Sequence, residues 1–296
     1  MKSNKRNNLL KGIVKLILYS APVKSFTNYS KRVGLPGFEG MPMYNVADFF
    51  FTGIQRGSII MRAQSLAFSF FLAIFPATIF LFSLIPYVPL QDFQDQLLQL
   101  IKNILPKNAY ESTRETIVDI IKHQRGGLLS LGFVFALYFT TNGFMALMRG
   151  FNSSYHEQEK RPPWKRRGVA VILTMILSVL LIIATALIIF SEITFKYLVA
   201  LFFFAISFLY YYAPAVRKKW KFISAGSTFA TVLTIFISIG FAFFVNNFGQ
   251  YNKVYGSIGT LIVILLWIYF NSLILLLGFE LNASIDRAKK KALRQF

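Results

Sequence analysis

Ionisable and amide side chains are scarce in this chain, and those that could do chemistry stand at the ends or in the middle of long apolar runs. Glu280 closes an apolar stretch that opens near residue 258, and Arg62 opens another at 63. A carboxylate and a guanidinium in such places are costly unless they pair or share one polar pocket, so the two are expected to meet. Gln64, two residues past Arg62, and Asn282, two past Glu280, count with them as polar groups at similar depth. Asn142 and Asn271 lie inside apolar runs, where an amide either hydrogen-bonds a neighbouring helix or lines a polar path. The stretch 246–257 gathers Asn246, Asn247, Tyr251, Asn252 and Tyr255 around Gly249 and Gly256, with Gly259 just beyond. It reads either as a loop outside a membrane or as irregular backbone re-entering one, which is tolerated only where protein buries it or it lines a cavity. Tyr251 and Tyr255 also fit an interfacial aromatic belt. Pro76, inside an apolar run, lacks an N–H and should kink its helix. The chemistry on offer is binding and movement of a polar or amphiphilic group, with Pro76, Gly249, Gly256 and Gly259 as the flexible points.

Hydrolysis is a poorer match. Nuclease chemistry wants carboxylates or histidines holding a metal beside a water. The chain has 2 His, at positions 123 and 156, and the topology given below puts them on opposite sides. Glu157 and Glu159 lack a third acidic or histidine partner, and no nucleophile, base and orienting group stand together. With no Cys there is no thiolate site. No enzyme activity, cofactor or metal is expected.

The elements that must position these groups are membrane helices. Of 296 residues, 55% are hydrophobic and 15% charged, and the mean hydropathy is +0.53. Apolar runs of about 20 residues recur, each long enough for a hydrocarbon core of ~30 Å. The expected fold is an all-α polytopic membrane protein with six transmembrane helices, at about 63–87, 128–148, 168–190, 197–213, 225–245 and 258–280. Ahead of them, Leu9, Leu10, Ile13, Val14, Ile17 and Leu18 form a helical stripe interrupted by Lys11 and Lys15, which suits a basic amphipathic helix on a membrane surface better than a signal peptide. Residues 22–43, with Pro22, Gly34, Pro36, Gly37, Gly40 and Pro42, read as an irregular linker. Residues 44–61 read as a second interfacial helix. Between the first two spans, two apolar stripes separated by Pro106 predict two short amphipathic helices on the outer side; Asn108 with Glu111 resembles the N-terminal cap of the second. The domains expected are a cytoplasmic helix and linker at 1–43, the membrane domain at 44–283, and a basic tail at 284–296.

Charge orients this arrangement. The net charge is +20, which on a soluble protein would suggest nucleic acid. Here 25 of the 32 Lys and Arg residues fall before the first span, in the 149–168 and 214–225 loops, and in the tail, all on one side of a six-span chain. The positive-inside rule makes that side cytoplasmic, with both termini there. Anionic lipid headgroups, rather than nucleic acid, are the partners such charge implies. A homo-oligomer or an envelope-protein partner is compatible with it.

The residues quoted so far carry a resemblance. RAQSLAFSFFLAIFP, GLLSLGFVFALYFTTNGFMALMRGFNSSY, the basic RPPWKRR, and above all NFGQYNKVYGSIGTLIVILLWIYFNSLILLLGFELNA resemble the YihY/BrkB family of bacterial inner-membrane proteins, once labelled the ribonuclease BN family. In the last stretch Tyr251, Asn252, Tyr255, Gly256, Trp267, Tyr269, Gly278, Glu280, Leu281 and Asn282 fall on the family's pattern. The likeness covers nearly all of 44–283. One departure is that family members often carry an Arg near 142–144, where this chain has Asn142. The resemblance implies a six-helix inner-membrane protein connected with envelope lipids or solute movement, and it names no substrate. The function expected is transport or translocation of a lipid-like amphiphile or small solute; the alternative is an envelope scaffold or assembly factor, and a membrane-bound hydrolase or ribonuclease ranks last.

Overall fold

The computed structural model describes residues 21–56, 58–87, 93–104, 107–155, 159–190, 195–215, 222–247 and 249–294. These form helices joined by turns and short loops, with no strand among them. In chain order the helices are α1 (Ala21–Ser30), α2 (Met43–Arg56), α3 (Ile59–Leu84), α4 (Phe93–Ile104), α5 (Lys107–Lys122), α6 (Gly126–Ser154), α7 (Pro163–Phe190), α8 (Phe195–Tyr212), α9 (Ala225–Asn247) and α10 (Gly249–Leu293). Five of them, α3, α6, α7, α9 and α10, are long and apolar enough to cross a membrane, and α8 is a shorter apolar helix. The protein is a polytopic all-α membrane protein.

The long helices pack as a ring. α3 lies against α6 and α10, α10 against α9, α9 against α8, α8 against α7, and α7 returns to α6. Close approach depends on missing side chains at a few crossings. A Cβ on Gly132 would sit 3.0 Å from the backbone of Phe80, and one on Gly150 would sit 2.7 Å from Leu276. The core lies where α6, α8 and α10 meet: Phe151 stacks on Phe279 at 4.2 Å between centroids, and Tyr210 meets both edge-on.

This core occupies one half of the bundle. The buried residues come from the start of α3, the end of α6, the start of α7, the end of α8, the start of α9 and the latter part of α10. That is the half carrying the basic loops. In the other half, large apolar side chains are exposed over a broad face of several helices. Leu131, Phe133, Val134 and Phe135 on α6, and Val179, Leu181, Ile182 and Ile183 on α7, are each more than two-fifths exposed. At 100° per residue these positions span about 200° of each helix, and the remaining side of α6 holds the buried Gly132 against Phe80.

Several expectations change. The linker 22–43 is helical from Ala21 to Ser30, because Pro22 sits in the first helical turn, where its missing N–H breaks no hydrogen bond. The remainder, 31–42, is a compact turn with Gly37 and Gly40 at positive φ. The tail from 284 is no separate segment: α10 continues unbroken to Leu293. It packs along α2, where Val46, Ile285 and Ala288 form a second small core with Phe38, Met41 and Phe49 around it. α2 is therefore a cover on the bundle's basic end rather than a helix lying free on lipid. The described residues of 246–257, read as a loop or as re-entrant irregular backbone, are helical, since α9 ends at Asn247 and α10 begins at Gly249. α5 begins at Lys107, so Asn108 lies inside its first turn and is not its cap. The helical stripe in residues 1–20 lies outside the described residues.

Candidate functional site

At the basic end the chain buries a charged cluster. Glu280 is 1% exposed, on the face of α10 that α2 and α3 cover. Arg287, two turns further along the same helix, donates to its Oε1 and, at 3.1 Å, to the Ser284 hydroxyl. Arg62, from the first turn of α3, places Nη2 3.9 Å from Oε2. Its Nη1 donates to the Gly150 carbonyl at 2.7 Å and to the Ser154 hydroxyl at 3.2 Å, which ties α3 to the end of α6. α2 closes the cluster with Gly53, where a larger residue would displace the ion group: a Cβ there would fall 2.0 Å from Glu280 Oε1 and 2.8 Å from Arg287 Nη2. Two guanidiniums face one carboxylate, and neither Arg62 Nε nor Arg287 Nε makes a hydrogen bond among the described residues.

Asn282 does a different task on the neighbouring face. Its Oδ1 accepts from the Gly226 N–H at 2.7 Å and its Nδ2 donates to the Ser224 hydroxyl at 2.9 Å, so the amide fixes the first turn of α9. Asn142 accepts at 3.1 Å from Arg167 Nη1 of α7. Where the resemblance marks a departure, with Asn142 in place of an Arg, the guanidinium that reaches the position is Arg167 of the adjacent helix. Asn271 departs from the interhelical bonding expected of it, because its Nδ2 donates at 2.8 Å to the Trp267 carbonyl of its own helix. Gln64 is exposed on α3. Pro76 lies within α3, which is helical on both sides of it. Gly259 is buried on α10. The side chains of Asn247, Tyr251, Asn252 and Tyr255, with the surroundings of Gly249 and Gly256, lie outside the described residues. The polar groups proposed for one path thus fall into separate places: Arg62 and Glu280 together, Asn282 beside them, Asn142 on the α6–α7 side and Asn271 turned onto its own helix.

A further cluster had no place among the candidates. Asn152, 3% exposed at the end of α6, donates to Glu159 Oε2 and accepts from the Ala215 N–H, both at 2.8 Å. Arg161 holds Glu159 through Nε and Nη2 at 2.8 and 2.9 Å and donates to the Ala213 carbonyl at 3.0 Å. The loop after α6 is thereby latched to the end of α8. Burial pushes the Glu159 carboxyl up, but the hydrogen bonds and charge of Arg161 and the Asn152 amide outweigh it and hold the carboxyl below its ordinary value of 4.5. A carboxyl depressed on folding contributes stability above its unfolded value and loses it as pH falls through the folded one. Glu159→Gln should therefore lower the unfolding midpoint at pH 7 and bring it closer to wild type below pH 4.5, as read by thermal unfolding in detergent. An equal deficit at both pH values would contradict the latch.

Among the described residues no three His, Asp or Glu side chains gather as a metal-binding group. His123 is beside Asp119 on α5, 3.2 Å away. His156 and Glu157 lie outside the described residues.

The family model described as virulence factor BrkB matches residues 50–295, nearly the whole of the ring and its cover. The chain belongs to the BrkB family. YfkH of Bacillus subtilis strain 168, named as a ribonuclease-like protein, is 30% identical over 251 residues, covering 77% of this chain and 90% of YfkH. A UPF0761 membrane protein of Xanthomonas campestris pv. campestris strain B100 is 26% identical over 259 residues, covering 80% of this chain and 60% of that relative. Another, from Pseudoalteromonas translucida, is 35% identical over 78 residues, 26% of each chain. No solved structure matches. The BrkB match takes in Gly53, Arg62, Asn152, Glu159, Glu280 and Arg287 alike, so both polar clusters lie within the family's common region.

Proposed function

We propose that this BrkB-family protein moves a lipid-like amphiphile of the cell envelope along the flank of its helices. In this reading it is an inner-membrane protein with six crossings, α8 being the sixth, and with both ends of the chain on the cytoplasmic side. An α8 of 18 residues reaches about 27 Å, close to the ~30 Å of a hydrocarbon core. The bias of 25 among 32 basic residues supports the orientation.

The observation that carries the reading is the contrast between the two halves of the bundle. One half is closed around Phe151, Tyr210 and Phe279 and holds buried charge. The other exposes apolar side chains over a broad face of α6 and of α7. Broad apolar faces suit acyl chains, and cationic groups at the closed end suit an anionic headgroup. A hydrophilic solute is a weaker fit, because Asn142, Asn271, Glu280 and Asn282 are engaged in hydrogen bonds within the chain and stand in separate places.

The same internal bonding favours one second reading, a scaffold of the envelope that transports nothing. No catalytic step is assigned in either reading. Purified protein in liposomes should speed the transbilayer movement of a fluorescent phospholipid, read as the fraction bleached by an impermeant reductant, over protein-free vesicles. Rates equal to those of empty vesicles would favour the scaffold.

A further inference from the structure

A second group of arginines lies away from Glu280, in the groove between α6 and α7. Tyr138, Asn142 and Arg149 stand at i, i+4 and i+11 on α6 and so share one face. α7 brings Arg166 and Arg167 to that face. Arg149 and Arg166 are near enough to repel. Arg167 reaches Asn142 Oδ1 and rests its guanidinium 4.6 Å from the centre of the Tyr138 ring. None of the three arginines forms an ion pair with a carboxylate among the described residues. Arg166 Nε is buried and makes no hydrogen bond.

Direction matters here. An arginine near the end of a span ordinarily extends toward water and headgroups. Arg167 does the reverse: the amide it reaches lies two turns of α6 beyond Arg149, about 10 Å further from the basic end. The chain thus holds Arg149 and Arg166 together against their repulsion, draws Arg167 inward, and pairs none of the three with a carboxylate among the described residues. Beyond the arginines the same face of α6 continues through Tyr138, Phe135 and Leu131, which are 50%, 51% and 58% exposed.

We propose that this groove binds one anionic phospholipid, with its phosphate held by Arg149 and Arg166, Arg167 below it against the ester oxygens, and an acyl chain laid along Tyr138, Phe135 and Leu131. The assignment stands on the groove alone and does not require translocation. Native mass spectrometry of the full chain in detergent, offered equal phosphatidylglycerol and phosphatidylcholine, tests it. Wild type should retain one phosphatidylglycerol per chain, preferred over phosphatidylcholine on the order of ten-fold. Arg149→Gln with Arg166→Gln should weaken that retention on the order of thirty-fold, while Arg149→Lys with Arg166→Lys keeps most of it and Arg294→Gln changes nothing. Equal retention of both lipids by wild type overturns the proposal whether or not the glutamine variant folds. So does undiminished phosphatidylglycerol binding by that variant. Displacement of the lipid by millimolar inorganic phosphate would show that the groove takes free phosphate, and would overturn the lipid assignment.

Discussion

Glu280→Gln is expected to destabilise the protein by about 3–5 kcal/mol, the usual cost of removing one partner from a buried ion pair. The carboxylate is the only acid between Arg62 and Arg287 among the described residues, and it is 1% exposed. Without it two guanidiniums, on side chains only 14% and 20% exposed, repel with no carboxylate between them. A variant in which Glu280, Arg62 and Arg287 all become Met should recover much of the loss, because an apolar replacement of a whole buried ion group is often neutral. Gly53→Ala should resemble Glu280→Gln by another route, since its new methyl group would occupy the space of Oε1 and lift α2 from α10. Thermal unfolding of the detergent-solubilised variants measures all three. A wild-type midpoint for Glu280→Gln would mean that the cluster contributes nothing to holding α2, α3 and α10 together.

Gly226→Ala and Gly278→Ala are expected to be as damaging, at the crossing of α9 and α10. A Cβ on Gly226 would sit 2.1 Å from the Gly278 carbonyl and 2.6 Å from the Asn282 side chain. A Cβ on Gly278 would sit 2.4 Å from the Tyr210 hydroxyl, 2.7 Å from Ala230 and 2.7 Å from the Gly226 carbonyl. Helices in a bilayer gain their attraction from close packing, so small residues at such crossings set the distance between backbones. Pushing them apart would also part Asn282 from the Gly226 N–H and Tyr210 from the Leu275 carbonyl. The loss of two buried hydrogen bonds adds about 1–3 kcal/mol for each group left unsatisfied. Both variants should give little monodisperse protein, and Gly240→Ala, with open space around its position, should behave as wild type. Normal yield and midpoint for Gly278→Ala would contradict this account of the crossing.

Hydropathy and span parity made the helical class and the positions of the long helices legible in the sequence, because lipid thickness imposes a length that survives any detail of packing. The proximity of Arg62 and Glu280 was legible for a similar reason: two charges at like depth have few alternatives to one another. Arg287 was harder to see. It lies seven residues from Glu280 on the same face of a helix, but only if the helix is known to continue beyond the membrane. The basic residues past 284 read as a solvated tail, whereas packing of Ile285 and Ala288 on Val46 keeps them helical. Gly53 and Asn152 gave no signal of their own. A glycine in an amphipathic segment and an asparagine at a span's end are ordinary residues until tertiary structure places a carboxylate against one and a loop against the other. The glycine- and tyrosine-rich stretch at 246–257 misled for the opposite reason: glycine permits irregular backbone without requiring it, and the backbone there is helical.

α10 runs for 45 residues without a break, which makes it about 67 Å long, more than twice the thickness of the lipid it crosses. It is clasped near one end by α2, Arg62 and the first turn of α9, while its opening turns extend well past the packed half. Such a rod joins the two faces of the lipid as one continuous element: Phe241 of α9 meets it at Trp267, 4.9 Å between ring centres, and the same helix carries the carboxylate that Gly53 covers. A tilt of about 5° around the clasped end would sweep the far end through roughly 6 Å.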